Sequence, residues 1–178
     1  MEEILTAAFE TEDKEVLLDE LMKLYGQEVL QLVYSYVKDK TLAEDLTQDI
    51  FVKCYKSLDT FNGKSKLKTW LWRIAMNHCK DFLRSWYNKN VVFNGDKEHI
   101  SNASISKVEE AVLQKDEDDQ LIHSIMMLPM KYREVIYLFY YEELPIKEIA
   151  DLTGTGENTV KTRLRRAKEL LKVKLEES

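Results

Sequence analysis

Apolar residues recur at three- and four-residue intervals along most of the chain, and that spacing restricts it to a fold of packed helices. Glycine (5) and proline (2) are too scarce for the many tight turns of an all-β fold. The expected architecture is therefore all-α. In the first half the pattern predicts helices over about 13–24, 27–38, 41–58 and 69–86. Thr41-Leu-Ala-Glu44 reads as a capping box, with Thr41 as N-cap and Glu44 reaching back. The segment from Phe61 to Lys68 reads as a polar, basic loop. Residues 88–106 are polar and weakly periodic, with Asn94-Gly95 among them, and read as a linker. Further helices are expected over about 107–127, 131–141, 146–152 and 157–175. The chain thus reads as two small helical domains, 13–87 and 107–178, joined by a flexible linker, each able to bury a modest core.

The formal net charge of −6 argues against a nucleic-acid partner until its distribution is considered. From Lys64 to Arg84, six positive side chains stand against one negative, a net of +5. From Glu157 to Lys174, seven stand against two, again +5. The rest of the chain then carries −16. Two basic islands on an acidic body fit two separate contacts with a polyanion better than ordinary solvated faces.

The second island follows a recognisable arrangement. Pro145 to Leu152 forms a short amphipathic helix, Thr153-Gly-Thr-Gly156 supplies a turn open to positive φ, and a basic helix follows. Val160, Leu164, Ala167 and Leu171 make one apolar stripe on that helix. Asn158, Thr159, Lys161, Thr162 and Arg165 lie across from it or beside it, in the turns that enter the major groove in helix-turn-helix proteins. Arg and Lys reach guanine O6 and N7, Asn reads adenine, and Thr meets a thymine methyl or a phosphate. Arg163, Arg166 and Lys168 suit backbone phosphates. The bland alternative is a surface helix with generic charges.

In the first half, the helix from Thr41 buries Ala43, Leu46, Ile50 and Cys54 and turns Asp45, Gln48, Asp49 and Val52 the other way. Paired acids serve general acid–base or metal chemistry only with further ligands, and none stands at helical spacing here. A solvated face or a docking face for a basic partner is the better reading. The helix from Thr69 has Leu71, Ala75, Cys79, Phe82 and Trp86 as its expected buried side. Arg73, Asn77, Lys80 and Arg84 form a polar stripe along the other, with Trp70 at its edge and Lys64, Ser65, Lys66 and Lys68 in the loop before it. Such a stripe tracks phosphates, an Asn can bond a base edge, and an aromatic beside them can stack on an unpaired base. Trp72 is expected in the core; Trp70 fits either the core or a stacking role.

Cys54 and Cys79 lack CxxC spacing and lie in apolar patterns, which fits a reducing compartment. His78 and Cys79 are adjacent, so their side chains diverge on a helix, and no fourth ligand is evident; no metal site and no cofactor are expected. The acidic N-terminus lacks a signal-peptide core, and no apolar run approaches bilayer length, so the expected location is cytoplasmic. No nucleophile–base set or phosphate-binding glycine loop appears, and no small-molecule substrate is expected.

These residues resemble a known family. Asp45-Leu-Thr-Gln-Asp-Ile-Phe51, Phe61-Asn-Gly-Lys-Ser65 and Thr69-Trp-Leu-Trp-Arg-Ile-Ala-Met-Asn77 are similar to region 2 of the extracytoplasmic-function (ECF) sigma factors. Leu128-Pro129, Arg133-Glu134-Val135 and the stretch from Leu144 to Lys168 resemble their region 4. The resemblance covers about residues 15–178, has no middle domain, and so points to the minimal members. It implies that Asp45, Gln48 and Asp49 dock on the β′ clamp helices of core RNA polymerase, which also has a β-subunit contact. It implies that Asn77, Ile74 and the Lys64–Lys68 loop capture a flipped base of the non-template −10 strand, opening the duplex without ATP. Lys161, Thr162 and Arg165 would read the −35 duplex, and the linker would pass near the RNA exit path. Such factors are commonly restrained by an anti-sigma protein, often membrane-anchored, and many serve stress responses. One departure is Leu67, where the family often has an aromatic.

Two other functions remain open on the residues alone. A free-standing helix-turn-helix regulator would bind a palindrome as a dimer, though no dimerisation seam or ligand pocket stands out. A nuclease would need metal ligands beside the acidic pairs.

Overall fold

The computed structural model describes residues 13–94 and 117–176, and all regular structure among them is helical. The chain divides into two compact units, Met1–Phe82 and Leu83–Ser178. The N-terminal dozen residues, Gly95, the rest of the expected linker to residue 106 and the start of the helix expected at 107 lie outside the described residues.

The first unit holds α1 (Lys14–Val37), α2 (Lys40–Ser57), a 3₁₀ turn at Leu58–Thr60 and the part of α3 (Leu67–Asn94) up to Phe82. Asp13 caps α1, its carboxylate accepting from the backbone N–H of Glu15 at 3.0 Å. Two helices were expected up to Lys38, but α1 runs unbroken through Gly26. Helix-interior glycine costs only about 1 kcal/mol, and Leu17, Leu21, Val29, Leu32, Val33 and Tyr36 form one buried face that outweighs it.

The cap of α2 also differs from expectation. Lys38 turns into the left-handed region (φ 59°), donating its N–H to the Tyr34 carbonyl, and Asp39 then caps the new helix. The Asp39 carboxylate accepts from Leu42 N–H at 2.8 Å, which puts Thr41 inside the first turn. Aspartate two residues earlier took the role assigned to Thr41, since both side chains cap well.

The core of the unit joins α1 to Ala43, Leu46, Ile50, Phe51 and Cys54 of α2 and to Leu71, Trp72, Ala75, Met76 and Cys79 of α3. Burial pushes the Cys54 and Cys79 thiols up to about 12, so both stay neutral and unreactive at physiological pH. Trp86, expected in the core, is 40% exposed. At 28 residues α3 extends about 42 Å, longer than its 24- and 18-residue neighbours, so its apolar periodicity outlasts the surface it packs on. α3 also continues to Asn94, into the stretch expected as linker.

The second unit contains α4 (Glu117–Met126), α5 (Met130–Ile136), a π-helical turn (Tyr137–Tyr141), α6 (Ile146–Thr153) and α7 (Glu157–Glu176). Leu128, Val135, Ile136, Leu138, Ile149, Ala150, Leu152, Val160, Leu164 and Ala167 make its core. Arg133 is buried, and its guanidinium donates to the carbonyls of Met126 (2.9 Å) and Leu128 (2.8 Å). A buried cation at the carbonyl end of α4 is thereby satisfied and ties α4 to α5. Of the two turn glycines, only Gly154 has positive φ (66°); it ends α6, with Thr155 N–H bonded to the Ala150 carbonyl at 3.0 Å. The Gly156 carbonyl instead accepts from Val160 N–H at 3.1 Å, opening α7.

Candidate nucleic-acid and polymerase interfaces

Helix periodicity places the acidic surface. With Ala43, Leu46 and Ile50 held in the core, Asp45, Gln48, Asp49 and Val52 all face outward, and Val52 is 50% exposed. An exposed valine amid carboxylates gives this face an apolar centre of the kind that interfaces use. His78 of α3 sits behind it, its Nε2 3.8 Å from the Asp49 carboxylate. Burial and the nearby Lys53 hold the His78 pKa below its ordinary value, against the opposing pull of Asp49 and Asp81. The imidazole is therefore neutral near pH 7 and sets no positive charge beside Asp49.

The stripe on α3 forms as expected. Arg73, Asn77 and Arg84 are exposed and Lys80 is half-buried, opposite the Leu71–Ala75–Cys79 side. Ile74 lies half-buried on the flank of Asn77. Trp70 is half-buried on the same flank, its ring 5.5 Å from that of Phe61 and tilted by 58°. Trp72 is fully buried, with its ring edge-on to Tyr25 at 5.9 Å.

The loop before α3 is shorter than expected. Gly63 takes positive φ (69°), and the Asn62 side chain accepts from Lys64 N–H at 3.2 Å, a local turn that leaves Lys64 and Lys66 exposed and Ser65 half-buried. Lys68 does not belong with them. It lies in the first turn of α3, its ammonium 2.7 Å from the Glu28 carboxylate and 4.9 Å from the Trp72 ring centre. A cation–π contact and an ion pair commit it to the α1–α3 junction, a role that spacing could not reveal.

On α7, Val160, Leu164 and Ala167 are buried and Leu171 half-buried, which leaves Asn158, Thr159, Lys161, Thr162, Arg165 and Arg166 exposed and Arg163 partly so. Lys161 and Arg165 stand on one flank of the outward face, and Thr159, Arg163 and Arg166 on the other. The Thr162 hydroxyl donates to the Asn158 carbonyl at 2.8 Å, and Arg165 lies 3.6 Å from the Glu169 carboxylate. Lys168 is exposed, its ammonium 5.4 Å from the centre of the Tyr140 ring. Among the described residues, no group of three His, Cys, Asp or Glu side chains could hold a metal, and no helix is long and apolar enough to cross a membrane.

Known proteins share this organisation. The family model of sigma-70 region 2 matches residues 21–87, and that of sigma-70 region 4 matches residues 118–171. RNA polymerase sigma factor SigV of Bacillus subtilis is 35% identical, over 85% of this chain and 86% of its own length. The ECF RNA polymerase sigma factor SigW of the same organism is 31% identical, over 88% and 87%. In fold, the chain is similar to the sigma factor RpoE of Bartonella quintana, solved in complex with the anti-sigma factor NepR, with a TM-score of 0.71 at 24% identity over 89% of this chain and 96% of that one. The two matched regions stand in the order, and on the elements, that carry the acidic face, the basic stripe and the helix-turn-helix. The chain belongs to the ECF group of RNA polymerase sigma factors, whose members direct promoter-specific transcription initiation.

Proposed function

We propose that the chain divides initiation between its charged faces, acting by binding alone and without a catalytic step of its own. Residues 13–87 and 107–178 are the two working domains. Asp45, Gln48, Asp49 and Val52 dock on the β′ clamp helices. Lys64, Ser65, Lys66, Trp70, Arg73, Ile74, Asn77, Lys80 and Arg84 hold the melted non-template −10 strand. Asn158, Thr159, Lys161, Thr162, Arg163, Arg165 and Arg166 engage the −35 duplex, with the β subunit as a second polymerase contact. An anti-sigma protein, such as the one named with the Bartonella RpoE, would restrain the factor, and it would act in the cytoplasm beside polymerase and DNA.

The observation that supports this reading best is the segregation of charge within one bundle. α2 presents carboxylates around an exposed valine, while α3 presents an exposed asparagine in line with Arg73, Lys80 and Arg84. A face for a protein and a face for a nucleic acid can then be occupied together. Base capture at Asn77 gives a separable test. Asn77→Ala should leave core-polymerase binding unchanged and slow opening of a duplex promoter about tenfold or more, the value of one lost base contact. Pre-melting the −10 segment should restore most of the rate in a fluorescence opening assay. Wild-type opening by the variant on duplex DNA would remove Asn77 from the mechanism.

A further inference from the structure

A concavity of about 600 Å³ opens beside the first turns of α7. Thr159, Thr162, Arg163 and Arg166 line one wall, and Lys131 and Tyr132, from α5 and outside the helix-turn-helix, line the other. No carboxylate lines it. Among the described residues, none of Lys131, Arg163 and Arg166 has an acidic partner, whereas Arg165 and Lys172 lie within 3.6 and 3.7 Å of Glu169 and Glu176. The Lys131 ammonium rests 5.0 Å from the Tyr132 ring centre, which holds it at the rim.

Three unpaired cations and the Tyr132 and Thr159 hydroxyls around a carboxylate-free hollow have the chemistry of a phosphodiester site. The volume accommodates a sugar–phosphate segment rather than a bare ion. Its place on α7 also matters. Arg163 and Arg166 lie on the flank opposite Lys161 and Arg165, so when the latter face base edges the hollow faces the backbone bordering the groove.

We propose that Lys131 and Tyr132 complete a backbone-binding site for one strand of the −35 duplex and set the angle at which α7 enters the groove. This rests on the helix-turn-helix reading above. Lys131 is a positioning residue and carries no base preference.

The test uses holoenzyme assembled from the full chain and core RNA polymerase, bound to a labelled promoter duplex across a salt series. Wild type is first compared on promoters with altered −35 bases. Indifference to those bases would refute the helix-turn-helix reading itself. Given a base-dependent wild type, Lys131→Ala should lower the slope of log affinity against log salt by about 0.9 and weaken binding about fivefold near 0.15 M salt, equally on every −35 sequence. Lys131→Arg should keep the slope, as should Lys172→Ala, which removes a charge from α7 outside the lining of the hollow. An unchanged slope in Lys131→Ala, or a loss that depends on the −35 bases, would overturn the proposal while leaving the helix-turn-helix reading intact.

Discussion

Asp49→Lys should lose core-polymerase binding by about a hundredfold or more, while Arg165→Ala binds core normally and loses promoter discrimination. Asp49 is exposed on α2, its charge uncancelled by the neutral His78 behind it and set beside the half-exposed Val52. Reversing a charge at the centre of a complementary interface exchanges attraction for repulsion and costs about 3 kcal/mol or more, which is roughly a hundredfold. Arg165 lies in the other unit, on the outward face of α7, where an exposed ion pair with Glu169 at 3.6 Å tethers it. Exposed pairs of this kind hold little energy, so the guanidinium is free to exchange Glu169 for a guanine. Losing that contact costs roughly 1–3 kcal/mol of discrimination at one base pair and nothing at the polymerase. Core affinity measured by fluorescence anisotropy, alongside promoter affinity of the holoenzyme, separates the two variants. Joint failure or joint survival in the core-binding assay would show that the faces do not divide the labour.

Trp72→Ala should destabilise the first unit by about 3–5 kcal/mol, the range for removing a large aromatic from a packed core. Trp72 is 1% exposed, meets Tyr25 edge-on, and lies under the Lys68 ammonium that also pairs with Glu28. Its removal therefore leaves a cavity and also loosens the tie between α1 and α3. For a domain of this size each kcal/mol moves the melting temperature by roughly 4–8 °C, so the variant should melt roughly 12–40 °C lower. Trp72→Phe should cost much less. The Trp72 indole Nε1 is buried without a hydrogen-bond partner, so phenylalanine keeps most of the apolar contact and removes an unsatisfied donor. Urea unfolding followed by circular dichroism checks both; equal midpoints for wild type and Trp72→Ala would contradict the packing described here.

Much of this was legible from the residues. The apolar stripe of α7, the outward acidic face of α2 and the buried Trp72 follow from the 3.6-residue period because a single helix determines each, and the helix-turn-helix follows from two such helices around a glycine-bearing turn. What escaped the sequence depended on partners distant in the chain or on competition between neighbours. Asp39 displaced Thr41 as N-cap because either could serve. Lys68 looked like a loop cation until Glu28, forty residues earlier, claimed it. Trp86 kept the period of a core residue on a helix that had outrun its core. Met76, fully buried, went unnoticed because it falls off the narrow stripe that periodicity marks on α3. Lys131 and Tyr132 carry no periodic signal toward DNA, and only the packing of α5 beside α7 sets them next to Arg163 and Arg166.

Transcription in a purified system shows whether this chain selects promoters for core RNA polymerase. Core enzyme, the full chain and fragmented genomic DNA from the source organism are combined, and transcript 5′ ends are mapped with and without the chain. New starts that require the chain and share two upstream elements at −35 and −10 spacing are expected. An active core enzyme that gains no new starts would contradict this role.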